Sequence, residues 1–249
     1  NTLVGDEAGT AITTGDNNTA VGYAALDANS TGGDNTAFGY AALSGLTTAG
    51  SNTAVGANAG INTNTGNSNT SLGTSAFAAN TTGASNVAVG VQALDANTTA
   101  ANNTAVGYQA MSANTTASYN TAIGNSSLIA NTTGAQNTAV GHSALAANTD
   151  VSFNTAVGSS AGAALSSGGN FVGMGYNAGA SATSATGTTL IGSLAGDAIT
   201  SADYNTALGY AALSASITGA QNTAVGTYAL QNALEDNNTA VGYAAMQGC

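Results

Sequence analysis

The sequence predicts an all-β protein, a parallel β-solenoid or β-roll of fifteen 17-residue coils. Three observations lead there: a repeat of fixed length, glycine and β-branched residues at set places within it, and a near absence of charge. The repeat is easiest to follow by its glycine. Gly5, Gly22 and Gly39 begin a series that runs to Gly226 in steps of seventeen residues, and the last copy, Gly242, comes one residue early. The unit reads N-T-A-V-G-Y-x-A-L-x-x-N-T-T-G-x-x. Ordinary domains let their surface loops vary in length, so a period held this tightly means that each unit sits in register on the one before it, as stacked coils do. Residues 1–249 are therefore read as a single continuous repeat domain. Neither end shows an obvious capping unit, which favours part of a longer fibre or filament, or a rod that stacks end to end.

Within the unit, the glycines and the β-branched Thr and Val disfavour helix. The N-T-A-V-G segment predicts a short strand closed by a glycine turn. The N-T-T-G segment, as in Asn80-Thr81-Thr82-Gly83 and Asn131-Thr132-Thr133-Gly134, predicts a polar corner in which Asn and Thr bond nearby backbone. Side chains alternate along a strand. In Asn86-Val87-Ala88-Val89-Gly90 and Phe171-Val172-Gly173-Met174-Gly175 a Val stands where Thr is usual, so positions two and four are assigned to the coil interior. Position three is nearly always small and then faces outward. Its row of Ala20, Ala54, Ala88, Ala122, Ala156 and Ala224 is expected to be an oligomer stripe, packed against a partner.

Position eight is Ala in fourteen units and Ser127 in the other, which marks a tight interior site. Position nine is usually large, as in Leu26, Phe77 and Met111, but is Gly at Gly9, Gly60, Gly162, Gly179 and Gly196. Near those glycines stand Ile12, Ile61, Leu165 and Ile199, which predicts that two positions fill one column by turns. Seventeen residues leave room for only two or three short sides per coil and a slender core. A self-associating rod, a homotrimer or filament, follows as the expected state.

The chain has no Lys, Arg, Pro or Trp, one His, one Cys and eleven acids, for a net charge of -11. Without cations, nucleic acid and anionic membrane surfaces are excluded as partners. No apolar run reaches the roughly 18 residues of a membrane-spanning helix, so direct membrane insertion is not expected. Coil stacking accounts for the missing charge: a charged residue held at one position of every unit would form a ladder of like charges about 4.8 Å apart. Cys249 is read as an inert or trimmed end, with an intermolecular crosslink as the alternative.

The segments Asn86-Val87-Ala88-Val89-Gly90 and Asn120-Thr121-Ala122-Ile123-Gly124, each with Ala or Ser three residues after the Gly, resemble the head repeats of YadA-type trimeric autotransporter adhesins. Related repeats occur in phage tail fibres. The resemblance covers essentially the whole chain, although the unit of seventeen residues is longer than is usual there. It implies a left-handed parallel β-roll in a tight homotrimer, an extracellular place on a cell surface, filament or virion, and a role in adhesion to a host-surface protein or glycan.

Residues that carry chemistry are few. His142 occupies position six, where Tyr23, Tyr40, Tyr108, Tyr176, Tyr210 and Tyr243 stand in other units, and reads as a variant of the repeat. The acid pairs Asp6-Glu7 and Glu235-Asp236 lie near the two ends and read as solvated turns rather than as the paired carboxylates of a glycosidase. No calcium repeat and no phosphate loop is present. Neither catalytic residues, nor a metal, nor a cofactor are expected. The position-six tyrosines could form a partner surface for sugars or proteins, or could pack between coils. The Thr-rich corner, as in Thr98-Thr99 and Thr115-Thr116, reads as a hydrogen-bonded turn, and it matches the N-x-S/T glycosylation pattern at Asn29, Asn80, Asn97, Asn114 and Asn131. The expected function is that of a non-enzymatic extracellular structural or adhesive fibre segment. The alternatives are an ice-binding solenoid using Thr ladders and a glycan-binding or glycan-cleaving phage spike.

Overall fold

The computed structural model describes residues 1–232 and 235–247. Cys249 and the readings attached to it lie outside the described residues. Contacts divide the chain into two compact units, Asn1–Asn120 and Thr121–Cys249. The first holds strands β1 (Thr2–Val4), β2 (Thr19–Val21), β3 (Thr36–Phe38), β4 (Thr53–Val55), β5 (Thr70–Leu72), β6 (Val87–Val89) and β7 (Thr104–Val106). The second holds β8 (Thr121–Ile123), β9 (Thr138–Val140), β10 (Thr155–Val157), β11 (Val172–Met174), β12 (Thr189–Ile191), β13 (Thr206–Leu208), β14 (Thr223–Val225) and β15 (Thr239–Val241). The described residues contain no helix. Each unit is a parallel β-solenoid, as the sequence predicts.

Pairing follows the repeat. Thr2 pairs Thr19, Ala20 pairs Ala37 and Val140 pairs Val157, each one period along. Thr223 pairs Thr239 across the shortened unit. The strand ends at a glycine that no other residue can replace without strain. Gly90 has φ +133, and a Cβ there would lie 2.4 Å from the carbonyl oxygen of Gly107 in the next coil. Three further positions of the unit adopt left-handed backbone without glycine: position seven (Gln92), position nine (Leu94) and position seventeen (Asn102), with φ 56, 54 and 60. Each such residue costs on the order of 1 kcal/mol, which interior burial and coil stacking offset.

The interior is lined by positions one, three, eight, nine and twelve. This reverses the expected facing of the strand. Ala20, Ala54, Ala88, Ala122, Ala156 and Ala224 are fully buried within their own unit, while Thr36, Phe38, Thr206 and Leu208 are exposed. The alanine row therefore cannot be the stripe that meets a partner. The reason is space: position three faces position nine across a thin coil. A Cβ on Gly196 would lie 2.7 Å from Leu190 Cδ2, and one on Gly9 would lie 2.8 Å from Leu3 Cδ2. Position three can be large only where position nine is Gly.

The shared column exists and is wider than expected. Leu165 and Ile199 are fully buried, and the Cδ1 atoms of Ile12 and Ile199 reach to 2.9 and 2.8 Å of where a Cβ on Gly9 and Gly196 would stand. Ile61 is the exception, because it falls at position ten and is half-buried, while Thr63 takes the interior place. Phe171 supplies the volume by a third route. It replaces Asn at position one, and Cβ atoms on Gly162, Gly173 and Gly179 would lie 2.9, 2.6 and 2.8 Å from its ring.

Two ladders of buried asparagine run beside this apolar column. At position one, Asn35 N–H donates to Asn18 Oδ1 at 3.0 Å and Asn52 N–H to Asn35 Oδ1 at 2.9 Å, while Asn35 Nδ2 donates to the Ala49 carbonyl. At position twelve, Gly83 N–H donates to Asn80 Oδ1 and Asn97 Nδ2 donates to the same oxygen, at 3.0 and 3.1 Å. Where the repeat changes, the ladders lose side-chain bonds, although Phe171 N–H still donates to Asn154 Oδ1 at 3.0 Å. Asn148 Oδ1 and Asn154 Nδ2, one coil before Leu165 and Phe171, find no partner among the described residues.

Two carboxyls lie close to this interior. Asp95 and Asp197, both at position ten, are half-buried, and desolvation raises both above the usual carboxylate range against the lowering effect of nearby backbone N–H groups. The folded chain thus holds these protons more tightly than the unfolded chain does. Their stabilising contribution is complete below the ordinary carboxylate pKa of about 4 and is lost as pH rises through the raised folded values. Melting temperature should fall across that window, and Asp95→Asn with Asp197→Asn should flatten the fall.

Asn80→Ala should lower stability by about 1–3 kcal/mol in a denaturant titration, since it strands buried donors, whereas Thr82→Ala on the exposed corner should stay within about 0.5 kcal/mol. Gly196→Leu alone should destabilise. Combining it with Leu190→Ala and Ile199→Asn restores the consensus triad and should recover most of the loss, read from the same titrations.

Candidate interaction surfaces of the coil exterior

The reversed strand facing creates the most extensive outward surface. Positions two and four, one residue apart on each side of the buried alanine, present a row of Thr beside a row of large apolar side chains. In the first unit the apolar row is Val4, Val21, Phe38, Val55, Leu72, Val89 and Val106; in the second it runs from Ile123 through Met174 and Leu208 to Val241. Phe38 is 56% exposed and Leu208 48%. No acid occurs at positions one to five of any unit, so this face is free of charge in a chain of net charge -11.

The predicted tyrosine row lies at the surface but does not form one site. Tyr23 and Tyr40 stack, with ring centroids 5.5 Å apart and planes inclined by 14°. A hydrogen bond to the Glu7 carboxylate, reinforced by its charge, raises the Tyr23 phenol above its ordinary pKa. In the second unit Tyr210 and Tyr243 are joined through Tyr228, at 5.5 and 6.2 Å and with rings nearly perpendicular. Burial, followed by the neighbouring phenols, raises Tyr228. Tyr108 and Tyr176 are exposed and have no aromatic neighbour among the described residues. Sequence reasoning missed Tyr228, which stands at position seven rather than six. It also missed Tyr119, Phe153 and Tyr204, exposed at position seventeen. The departure of these four from the polar residues usual at their positions was the available signal.

The corner is a hydrogen-bonded turn. Thr81 Oγ1 donates to the Thr98 carbonyl at 3.0 Å, and Thr98 Oγ1 to the Thr115 carbonyl at 3.1 Å. Thr99 and Thr116 beside them are exposed. The asparagines that open these corners, Asn29, Asn80, Asn97, Asn114 and Asn131, are fully buried.

His142 is exposed at position six. Asp6 and Glu7 are exposed in the first unit; in the second, Asp236 Oδ1 accepts the Ala220 N–H at 2.7 Å, a turn contact. Among the described residues there is no enclosed pocket, no group of three or more His, Cys, Asp or Glu placed to hold a metal ion, and no helix long and apolar enough to cross a membrane. What the exterior of each unit offers is a set of side chains repeated from coil to coil. Comparison of the chain with protein-family models, curated proteins and solved structures finds no match.

Proposed function

We propose that the chain is a non-enzymatic structural and adhesive fibre segment that works outside the cell and associates with copies of itself. The observation that carries this reading is the uncovered apolar row at position four, set in a face without charge. Water contact along such a row is unfavourable by about 25 cal/mol per Å² of apolar surface, and a contiguous apolar patch of this kind marks an association surface. The occupant that fits best is a second copy. Every other side of the coil carries acids, so an identical chain meets least repulsion where both partners are neutral. The repeat also matches itself at every coil. The resemblance of the unit to YadA-type head repeats supports a homotrimer on a cell surface, filament or virion, with the tyrosine clusters left outside for a host protein or glycan.

A second reading is ice binding. It is favoured by the outward rows of Thr on parallel strands in register, in place of the inward Thr expected from sequence. Such rows space hydroxyls and methyls evenly over a flat face.

Mass measurement in solution should give a trimer or larger assembly, and a stable monomer would remove the fibre reading. Val140→Asp with Val157→Asp should dissociate the assembly while leaving the β-sheet circular dichroism unchanged. Added salt should strengthen association by screening the negative charge outside the interface. If the threonine face instead binds ice, the protein should inhibit ice recrystallisation, and Thr138→Tyr with Thr155→Tyr should abolish the effect.

A further inference from the structure

The chain holds ten N-x-S/T sequons, at Asn17, Asn29, Asn69, Asn80, Asn97, Asn102, Asn114, Asn125, Asn131 and Asn237. The structure divides them sharply. Asn17, Asn102, Asn125 and Asn237 have exposed side chains. The other six are at most 3% exposed. Their amide nitrogens, the atoms to which an N-linked glycan attaches, are committed to interior bonds. Asn29 Nδ2 donates to the Gly32 carbonyl at 2.9 Å, Asn80 Nδ2 to Gly83 at 3.1 Å and Asn131 Nδ2 to Gly134 at 2.9 Å. Asn97 and Asn114 Nδ2 each donate to the ladder oxygen one coil before, at 3.1 and 3.0 Å. Asn69 Nδ2 donates to the Gly83 carbonyl at 2.9 Å. The surroundings leave no spare volume: even a single methyl-sized Cβ on Gly83 would lie 2.5 Å from Asn80 Oδ1.

We infer that closing of these coils and N-linked glycosylation at these six asparagines exclude one another, so that the chain reaches its working place by a route on which no lipid-linked oligosaccharide is transferred to them before folding. The transfer forms a bond from Nδ2 to the sugar's anomeric carbon. The bond from that carbon to the lipid diphosphate breaks, and an Nδ2 proton is released. It requires an accessible, extended sequon, which the unfolded chain offers at all ten sites and the folded chain does not offer at six. A glycan on any of the six would have to occupy the column where the ladder runs. The constraint follows from the fold and is independent of what the chain binds.

The sequons can be removed without touching the ladder, because recognition also needs the hydroxyl two residues on. Thr31, Thr82, Thr99, Thr116 and Thr133 are exposed. The sixth, Ser71, stands at position three, where Ala is usual. The test is to express the full chain behind a cleavable signal in a eukaryotic secretory pathway. Beside it runs a variant carrying Thr31→Ala, Ser71→Ala, Thr82→Ala, Thr99→Ala, Thr116→Ala and Thr133→Ala. The wild type should acquire glycans at the six sites, read as site-resolved mass increments, and folded secreted protein should be lost. The variant should be secreted folded, and an inhibitor of lipid-linked donor synthesis should rescue the wild type to the same extent. Wild type that is folded while glycosylated at Asn80 would overturn the inference. So would a variant that folds when made in a bacterial cytosol yet is lost from the secretory pathway as completely as the wild type.

Discussion

Everything in this structure depends on a buried amide finding its partner one coil away. An asparagine side chain inside a protein must have its hydrogen bonds met. Here the donor or acceptor that meets them is its own counterpart in the neighbouring repeat, together with backbone of the adjoining corner. The ladder ties each coil to the next through the polar side of the interior, and it holds across the one shortened unit, where Asn238 N–H donates to Asn222 Oδ1 at 2.8 Å. The apolar column tolerates exchange between positions three, nine and twelve, and even a phenylalanine from position one; the ladder loses side-chain bonds at Asn148 and Asn154, where the next rung is replaced.

Coil length, strand position, the glycine turn and the polar corner were legible in the sequence because each rests on backbone preferences that recur from unit to unit. The exchange between Leu26-like and Ile199-like residues was legible because volume is conserved inside a packed column. The direction in which the strand faces was not. Val87 and Val172 suggest an inward second position, but a half-exposed sheet surface accepts Val as readily as Thr. The alanine row was the better guide, since a coil this thin admits only a small residue between its walls. The left-handed positions were hard to see for a different reason. Gln92 and Leu94 are ordinary residues held in an uncommon conformation by tertiary contacts, and only the glycines that replace Leu94 in other units and the Asn or Asp common at the place of Asn102 hint at it. On the exterior, the position-six tyrosines were found, but the grouping that joins two of them depends on Tyr228, which breaks the repeat rule.

The distribution of charge fits the same geometry. A residue repeated in every coil meets its own kind at the spacing of neighbouring strands, so ionised side chains survive only as isolated exceptions. Those exceptions are kept to the corners and to the side beyond the glycine turn, never to the strand face. The strand face of each unit is thereby left neutral and apolar through composition alone. Where an ordinary protein selects a partner with a few shaped contacts, each unit here offers a uniform strip. Selectivity on such a strip must come from the few places where side-chain size departs from Val, as at Phe38, Leu72 and Met174.

Phe171 has a meaning of a different kind. A ladder of identical rungs can be climbed from any rung, and a chain of near-identical coils can close with one coil skipped and lose little, since the wrong neighbour offers almost the same bonds. The phenylalanine removes that degeneracy. Its ring fits only where Gly162, Gly173 and Gly179 stand around it, and these belong to the coil before, its own strand and the coil it opens. A misaligned closure would drive the ring into a leucine or leave three glycines facing a void. In a text made of one repeated word, it is the page number.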